Sequence, residues 1–483
     1  MEEEDVLSKF IRVMSKNITD SDLELINLGH SLGLDLVSFV DLRGSQQEEF
    51  ADKIREKALE KMEENKDHYL SKNDMFYAGS IDFMVCDEPT GKKFFLLETN
   101  GGSNRGLSIL TIKQQSIKYD GYFEAINQAI KSNKRGDKKV LVLVGVPIND
   151  GLIHEKVIMI EYLRKKIIEK NLTVDIYNIN NFSHDFEVDV AILIADYKQL
   201  SATLSFSERW VKFNEISKIS VLLADGIARR LHDDEFFRLV KEDFRKIKTI
   251  IVNPIFRITD DKSLTYLASY FAKDLLEKYK LKYLLFTKAY NEEELIDKIK
   301  YVITTYKKPF IIKPNGGSGG AGVIPIGPDE DLDHLKNLIE ESKKEFFSKF
   351  MKNRDPYPYT IQEMAEFSLI SPPWAKGKHT FDIRIYLAQK EGKIIPLGGL
   401  ARIARGEYHG TLDKQEFVVN LSGFDGQIEV FRGQGISEKN AKMLNLTLDD
   451  FVNIFCIGCV LFVSMAKNYQ KIMSFSDWNQ IIG

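Results

Sequence analysis

Apolar positions at helical spacing open the chain, with Val6, Phe10, Ile11 and Met14 as the clearest set, and a charged helix is expected from about Gln46 to Lys66. Residues 1–75 therefore read as a helical lead-in. The period then changes. Phe76-Tyr-Ala-Gly-Ser-Ile-Asp-Phe-Met-Val85 and Phe94-Phe-Leu-Leu97 are apolar stretches separated by Glu88-Pro-Thr-Gly-Lys92, a turn composition, and together they predict a β-hairpin. From Lys138 onward, Val140-Leu-Val-Leu-Val144, Thr173-Val-Asp-Ile-Tyr177, Val188-Asp-Val-Ala-Ile-Leu-Ile194, Ile219-Ser-Val-Leu-Leu223 and Thr249-Ile-Ile-Val252 read as strands, with a helix-patterned segment from Glu155 to Lys170 after the first. Strands alternating with helices predict a parallel α/β layer. Past Asp260 the pattern runs helix, strand, glycine loop, helix (Asp329 to Phe350) and strand (Tyr359 to Glu363). A strand-rich block from Thr380 to about Val430 and a helical tail follow.

Composition narrows the class. At 483 residues and 43% hydrophobic, the chain has apolar material for two or three packed domains. A formal net charge of -4 gives no bulk electrostatic case for nucleic acid or an anionic membrane, so small substrates are expected. The only cysteines, Cys86, Cys456 and Cys459, cannot build a disulfide framework. Cys456 and Cys459 have C-x-x-C spacing but lie inside Ile454-Phe-Cys-Ile-Gly-Cys-Val-Leu-Phe-Val463, and no second ligand pair accompanies them. A buried helix face is the expectation, not zinc or redox chemistry. That run is too short to span a bilayer, and Met1-Glu-Glu-Glu-Asp5 is the opposite of a signal peptide, which points to the cytoplasm.

The chemistry concentrates in a few segments. Phe310-Ile-Ile-Lys-Pro-Asn-Gly-Gly-Ser-Gly-Gly-Ala-Gly-Val323 is a buried-type strand ending in Lys313 and running into a glycine-rich loop. Glycine leaves backbone N–H groups open to polyanionic oxygens, and Lys313 would point a cation at the same phosphates. The spacing matches neither the Walker loop nor a dinucleotide fingerprint. Glu98-Thr-Asn100 ends an apolar strand, and period two puts the carboxylate and the carboxamide on one face, as hard ligands for Mg²⁺ or as ordinary turn residues. Asp82 on the partner strand would add a third oxygen. In Thr380-Phe-Asp-Ile-Arg-Ile-Tyr386 the strict alternation gives Asp382 and Arg384 a common face. Arg402 stands among apolar and glycine neighbours, either paired internally or held ready for phosphate. Tyr359-Thr-Ile-Gln-Glu-Met-Ala365 is an adenine-reading hinge or a plain strand end.

Taken in order, these motifs resemble the ATP-grasp superfamily, and more closely its circularly permuted branch of glutathionylspermidine synthetase-like amide ligases. Asp82 with Glu98 and Asn100 comes first, then Asn253-Pro, Asp260-Asp-Lys262, Lys313 with its loop and Gln362-Glu363. His379-Thr-Phe-Asp-Ile-Arg384, Gly398-Gly-Leu-Ala-Arg402 and Val418-Val-Asn-Leu-Ser422 close the series. The resemblance covers residues 76–430, and its order is what makes it specific. It implies an α/β (α+β) ATP-grasp fold in five parts: a helical lead-in at 1–75, a metal-binding strand segment at 76–137, a Rossmann-like pre-ATP-grasp domain at 138–258, the nucleotide-binding region at 259–430, and a helical C-terminal segment at 431–483.

The activity implied is ATP-dependent joining of a carboxylate to an amine, or a peptide bond, through an acylphosphate. Lys262 and Lys313 would bind ATP phosphates under the loop Gly316, Gly317, Ser318, Gly319 and Gly320. Gln362, Glu363, Met364 and Ala365 would hold adenine, with Asn420 also in the nucleotide site. Asp82, Glu98 and Asn100 would ligate Mg²⁺, with Mn²⁺ as a substitute ion. Arg402 and Arg384 would stabilise charge on the moving phosphoryl group. One departure matters: the family carries an arginine two residues before the metal aspartate, where this chain has Ser80, and Arg105 is the expected substitute. No cysteine–histidine amidase signature is present. Small-molecule acids, amines or peptides are the expected partners, with no nucleic acid and no membrane. Two alternatives remain open, a phosphotransferase using the same grip and a nucleotide-binding regulatory protein without catalysis.

Overall fold

β1 (Ala78–Glu88) and β2 (Gly91–Asn100) form the expected antiparallel hairpin, with Asp82 opposite Glu98 and Ser80 opposite Asn100. The computed structural model describes residues 22–39, 42, 45–70, 75–101, 106–133, 139–146, 151–223, 226–316, 319–350, 355–411, 413–421 and 429–481. Val6, Phe10, Ile11 and Met14 lie outside the described residues. Of the lead-in, helices span Asp22–Ser31 and Glu48–Glu63, the second burying Phe50, Ile54, Ala58 and Met62 in the main core.

After the hairpin comes α1 (Ile112–Ser132), started by a capping box between Thr111 and Gln114. The parallel layer follows, in the order Ile250–Ile251, Val221–Leu223, Val140–Val146, Val190–Asp196, Val174–Asn178. Its two central strands are buried along their whole length, which is why they read as unbroken apolar runs. A small antiparallel sheet of Leu204–Ser207, Trp210–Phe213 and Ser217–Lys218 is inserted here, without a periodic signal long enough to predict it.

α2 (Lys262–Phe271) is capped by Asp261, whose carboxylate accepts from Ser263 N–H and Leu264 N–H. β3 (Phe310–Lys313) and β4 (Tyr359–Glu363) are the inner strands of a four-stranded antiparallel sheet, flanked by Phe286–Ala289 and Ile324–Ile326. α3 (Leu332–Phe350) and the helix Glu292–Tyr306 cover it, with Leu295, Ile299, Leu335 and Ile339 in the core between.

β5 (His379–Lys390) and β6 (Lys393–Ile403) return to the first hairpin, giving the antiparallel order Gly433–Gly435, β6, β5, β1, β2. The strand-rich block therefore ends at Ile403, earlier than expected, and among the described residues a short helix, Lys414–Phe417, and a 3-10 turn, Val430–Arg432, precede the next strand. Odd-numbered residues of β1 and β5 and, after a register shift, those of β6 face α4 (Leu448–Lys467), which closes the main core. Asp82, Asp382, Arg384 and Arg402 lie on the opposite face.

α4 corrects one expectation. The C-x-x-C run belongs to a 20-residue helix, long and apolar enough by composition to cross a bilayer, yet 89% of its apolar window is buried inside the protein. Cys456 and Cys459 are buried as expected, and burial pushes the Cys456 thiol up to about 12, which leaves it inert. The helix rides close to the sheet at Gly458, where an added Cβ would meet Ile385 Cδ1 at 2.6 Å. Gly458→Leu is therefore expected to lower stability by about 1–3 kcal/mol by overpacking. Gly458→Ala should cost less, since a helix-propensity gain of about 1 kcal/mol offsets crowding against the terminal methyls of Ile385, Leu387 and Ile81. Urea unfolding of both variants checks this.

Candidate functional site

The pairing of β1 with β5, and of β5 with β6, places four charged side chains side by side. Arg384 lies opposite Asp82, and Arg402 opposite Asp382. Arg384 grips Asp82 through both nitrogens, Nε to Oδ1 at 2.7 Å and Nη2 to Oδ2 at 2.6 Å. Arg402 donates from Nη2 to the same Asp82 Oδ2 at 2.8 Å, and from Nε to Asp382 Oδ1 at 2.9 Å, with Nη2 also bonded to Asp382 Oδ2. Burial opposes the charge on Asp82, but the two guanidiniums outweigh it and hold the carboxyl well below the usual carboxylate range. Burial pushes Asp382 the other way, up to about 6, against the pull of Arg402.

Next to this cluster stands Glu98, at the half-buried C-terminal end of β2. Its two oxygens lie 3.8 Å from Lys262 and 3.8 Å from Arg384. Asn100, one strand step on, has a buried Nδ2 with no hydrogen-bond partner. That orphan is a donor and suits an acceptor such as a phosphate oxygen, whereas the half-exposed Glu98 carboxylate and the Asn100 carboxamide oxygen are hard oxygens of the kind Mg²⁺ takes, one or two from protein with phosphates and water completing its shell. Asp82 fits less well: both lone pairs of Oδ2 are engaged by arginines, and Oδ1 already accepts one bond. Among the described residues no three His, Cys, Asp or Glu side chains gather as a metal cluster.

From the small sheet, Lys313 reaches the same place. Its Nζ donates to the Tyr266 hydroxyl at 2.9 Å and to Gln362 Oε1 at 2.6 Å. Tyr266, on α2, also donates to the Leu97 carbonyl of β2, so one phenol joins the metal-type strand to the phosphate-type lysine. Burial, with Lys262 nearby, holds Lys313 down to about 7, although Glu98 pulls upward. Gln362 was expected at an adenine hinge; its side chain is instead committed to Lys313, mid-sheet between β3 and the strand Phe286–Ala289. The Glu363 carboxylate pairs with Lys308 at 2.6 Å, and the N–H groups of Glu363 and Met364 donate to the carbonyls of Leu285 and Pro309. A base at this hinge would therefore have to use other groups.

The glycine loop is held from both sides. At Gly319, with φ +63°, an added Cβ would lie 2.3 Å from Lys349 Nζ and 2.9 Å from Asn420 Nδ2, so only glycine lets those two groups close on the loop. Glu345 of α3 accepts from Gly322 N–H at 2.9 Å and pairs with Lys414.

These groups share one cavity of about 930 Å³, within the range of small-molecule sites. Asp82, Glu98, Asn100, Lys262, Lys313, Gly316, Gly319, Gly320, Gln362, Glu363, Ala365, Arg384, Arg402 and Asn420 all line it; Met364 does not. Arg105, Gly317 and Ser318 lie outside the described residues. Sequence reading missed Tyr266, Lys349 and Lys118. Tyr266 sits in an amphipathic helix where an aromatic reads as core, and a lysine near a helix end, as at Lys349, reads as surface, so neither carried a signal.

No family model matches the chain, and no curated protein matches it. Among solved structures, a proposed gamma-glutamylcysteine synthetase of Methylobacillus flagellatus is similar over 87% of this chain and 93% of its own, at 13% identity and a TM-score of 0.44. A glutathione synthetase-like effector of Globodera pallida is similar over 76% of this chain and 81% of its own, at 14% identity and a TM-score of 0.37. Likenesses this distant carry no argument about activity or substrate.

Proposed function

We propose that the protein is an ATP- and Mg²⁺-dependent carboxylate–amine ligase with a circularly permuted ATP-grasp arrangement. The nucleotide-binding region runs through 259–430, takes its metal strand from 76–137 and carries 138–258 as a Rossmann-like domain between them. One observation carries the reading: Glu98, Lys262 and Lys313, from three separate elements, converge with the glycine loop on one cavity, and Tyr266 bonds both sides of it. That set suits a polyphosphate with its cation and little else, because a carboxylate facing phosphates needs a metal between them.

Lys262 and Lys313 would hold the phosphates, with Lys349 and Asn420 closing over the loop. Glu98 and Asn100 would hold Mg²⁺, which would supply positive charge to offset that of the phosphates. Arg384, fixed by Asp82, presents its outer edge to the cavity where a phosphoryl group would pass. A carboxylate oxygen of the acid attacks the γ-phosphorus and ADP leaves; the amine then attacks the acyl carbon and phosphate leaves.

Mg·ATP titration followed by ADP-release assays over amino acids, polyamines and small peptides tests the reading. ADP release should depend on an acid, and hydroxylamine in place of the amine should yield a hydroxamate. ADP formed with a phosphorylated hydroxyl product and no hydroxamate would make the protein a phosphotransferase, and failure to bind Mg·ATP would end the proposal.

A further inference from the structure

α2 brings two groups to the site: Lys262 from its first turn, and, one turn on, Tyr266, whose hydroxyl accepts from the Lys313 ammonium. What sets that first turn lies outside the cavity. Asp261 caps the helix through Oδ1, accepting from Ser263 N–H at 3.0 Å and Leu264 N–H at 3.4 Å, and its Oδ2 accepts from the ammonium of Lys288 on the strand Phe286–Ala289. Lys288 is a buried lysine held among aromatic rings. Its Nζ stands 5.1 Å from the ring centre of Trp478 and 5.5 Å from that of Tyr290. Trp478 Nε1 donates to the Tyr290 hydroxyl at 3.0 Å, which ties the two rings together around the cation. Trp478 opens the 3-10 turn Trp478–Ile481, is 2% exposed, and is fixed to the same strand by the Thr287 hydroxyl, which donates to the Trp478 carbonyl at 3.2 Å. Neither Lys288 nor Trp478 lines the cavity.

We propose that Lys288 and Trp478 are positioning residues for the nucleotide phosphates: the aromatic clamp on the Lys288 ammonium fixes the Asp261 cap, and the cap fixes where Lys262 stands. The proposal rests on the nucleotide reading of the cavity. With an aliphatic side chain at 478, Lys288 would lose the π face that holds it and would gain water, which weakens its pair with Asp261. The Asp261 carboxylate could then leave its capping rotamer, and Lys262, the next residue, would lose its fixed origin. The helix as a whole would stay in place, because the hydroxyls of Ser263 and Thr265 bond those of Thr360 and Thr99, on two other elements, at 2.6 and 2.7 Å. The cost therefore falls on phosphate binding more than on folding.

Isothermal titration of Mg·ATP into wild type, Trp478→Phe, Trp478→Leu and Lys288→Met, each with its urea unfolding midpoint, tests this. Leucine fills apolar space much as phenylalanine does but presents no π face, so a residue that merely packs would tolerate both. Trp478→Phe should bind within about twofold of wild type, and Trp478→Leu about three- to tenfold more weakly, part of what a desolvated cation–π contact is worth. Lys288→Met should bind at least as weakly as Trp478→Leu, and adding Trp478→Leu to it should cost little more, because the indole acts through the lysine. Wild-type affinity in a folded Trp478→Leu, or a loss as large in Trp478→Phe as in Trp478→Leu, overturns the proposal. Should Trp478→Leu fail to fold, the double variant Trp210→Phe/Trp374→Phe leaves Trp478 as the one tryptophan in the chain. Its emission should then shift as Mg·ATP binds, with the Kd that calorimetry gives, and an unchanged emission overturns the proposal. A wild type that does not bind Mg·ATP brings down the nucleotide reading itself, whereas a wild type that binds beside a folded leucine variant that binds equally well removes only the clamp.

Discussion

Arg402→Ala is expected to lower the unfolding free energy by about 3–5 kcal/mol, because removing one partner of a buried pair leaves the other charge uncompensated. The charge stranded is Asp382, which is fully buried and takes its side-chain hydrogen bonds from Arg402. Asp82 survives better, since Arg384 keeps both of its oxygens bonded. The loss should depend on pH in a defined sense. A carboxyl whose folded pKa is raised binds its proton more tightly in the native state, so its contribution to stability falls as pH rises from about 4 toward 6 and stays low above that. Without Arg402 that pKa rises further, and the variant should be closest to wild type in mild acid and furthest from it near pH 8. Urea unfolding at pH 5 and pH 8 reads this directly; a loss that is the same at both would show that Asp382 is not the group left behind. Arg402→Lys keeps a cation but not the planar fork. It should fold, bind ATP normally and lose at least about tenfold in kcat. A raised KM for ATP with unchanged kcat would instead make Arg402 a ground-state binding residue.

The sequence carried the local elements well and the long-range pairings poorly. Period two placed Asp82, Glu98 and Asn100 on one face of a hairpin, and the alternation in Thr380–Tyr386 gave Asp382 and Arg384 a shared side; both faces are as expected. What period two cannot state is which strand lies next to which. The bonds of Asp82 to Arg384 and Arg402 join residues more than 300 positions apart in the chain, and nothing local encodes that contact. The same limit hid Tyr266, whose hydroxyl matters only because Leu97 and Lys313 arrive from two other elements. Glycine loops announce themselves through composition; the lysine that closes on Gly319 does not, because Lys349 ends a charged helix whose other lysines face solvent or surface carboxylates.

Lys313→Met should weaken Mg·ATP binding by about 10- to 100-fold, the range for losing a charge-assisted hydrogen bond to phosphate while keeping a buried apolar stem at the position. A second readout separates this from simple misfolding. In the free protein, burial and Lys262 hold Lys313 down to about 7, so at pH 8 it is mostly neutral. Phosphates beside it favour the ammonium, and binding at pH 8 should therefore take up close to one proton, whereas binding at pH 6 should take up almost none. Calorimetry in buffers of different ionisation enthalpy measures that proton, and Lys313→Met should abolish it. The sign for stability runs opposite to that for affinity. With a folded pKa near 7 against 10.5 for the ordinary side chain, the unfolded chain binds the extra proton between those values, so free-protein stability rises with pH across that window. The full cost of a charged buried lysine is present below pH 7. ATP affinity, by contrast, should fall as pH rises above 7 in wild type and stay flat in the variant. A wild-type affinity that ignores pH from 6 to 9, with no proton uptake, would place the Lys313 ammonium away from the phosphates and remove the central cation from the proposed site.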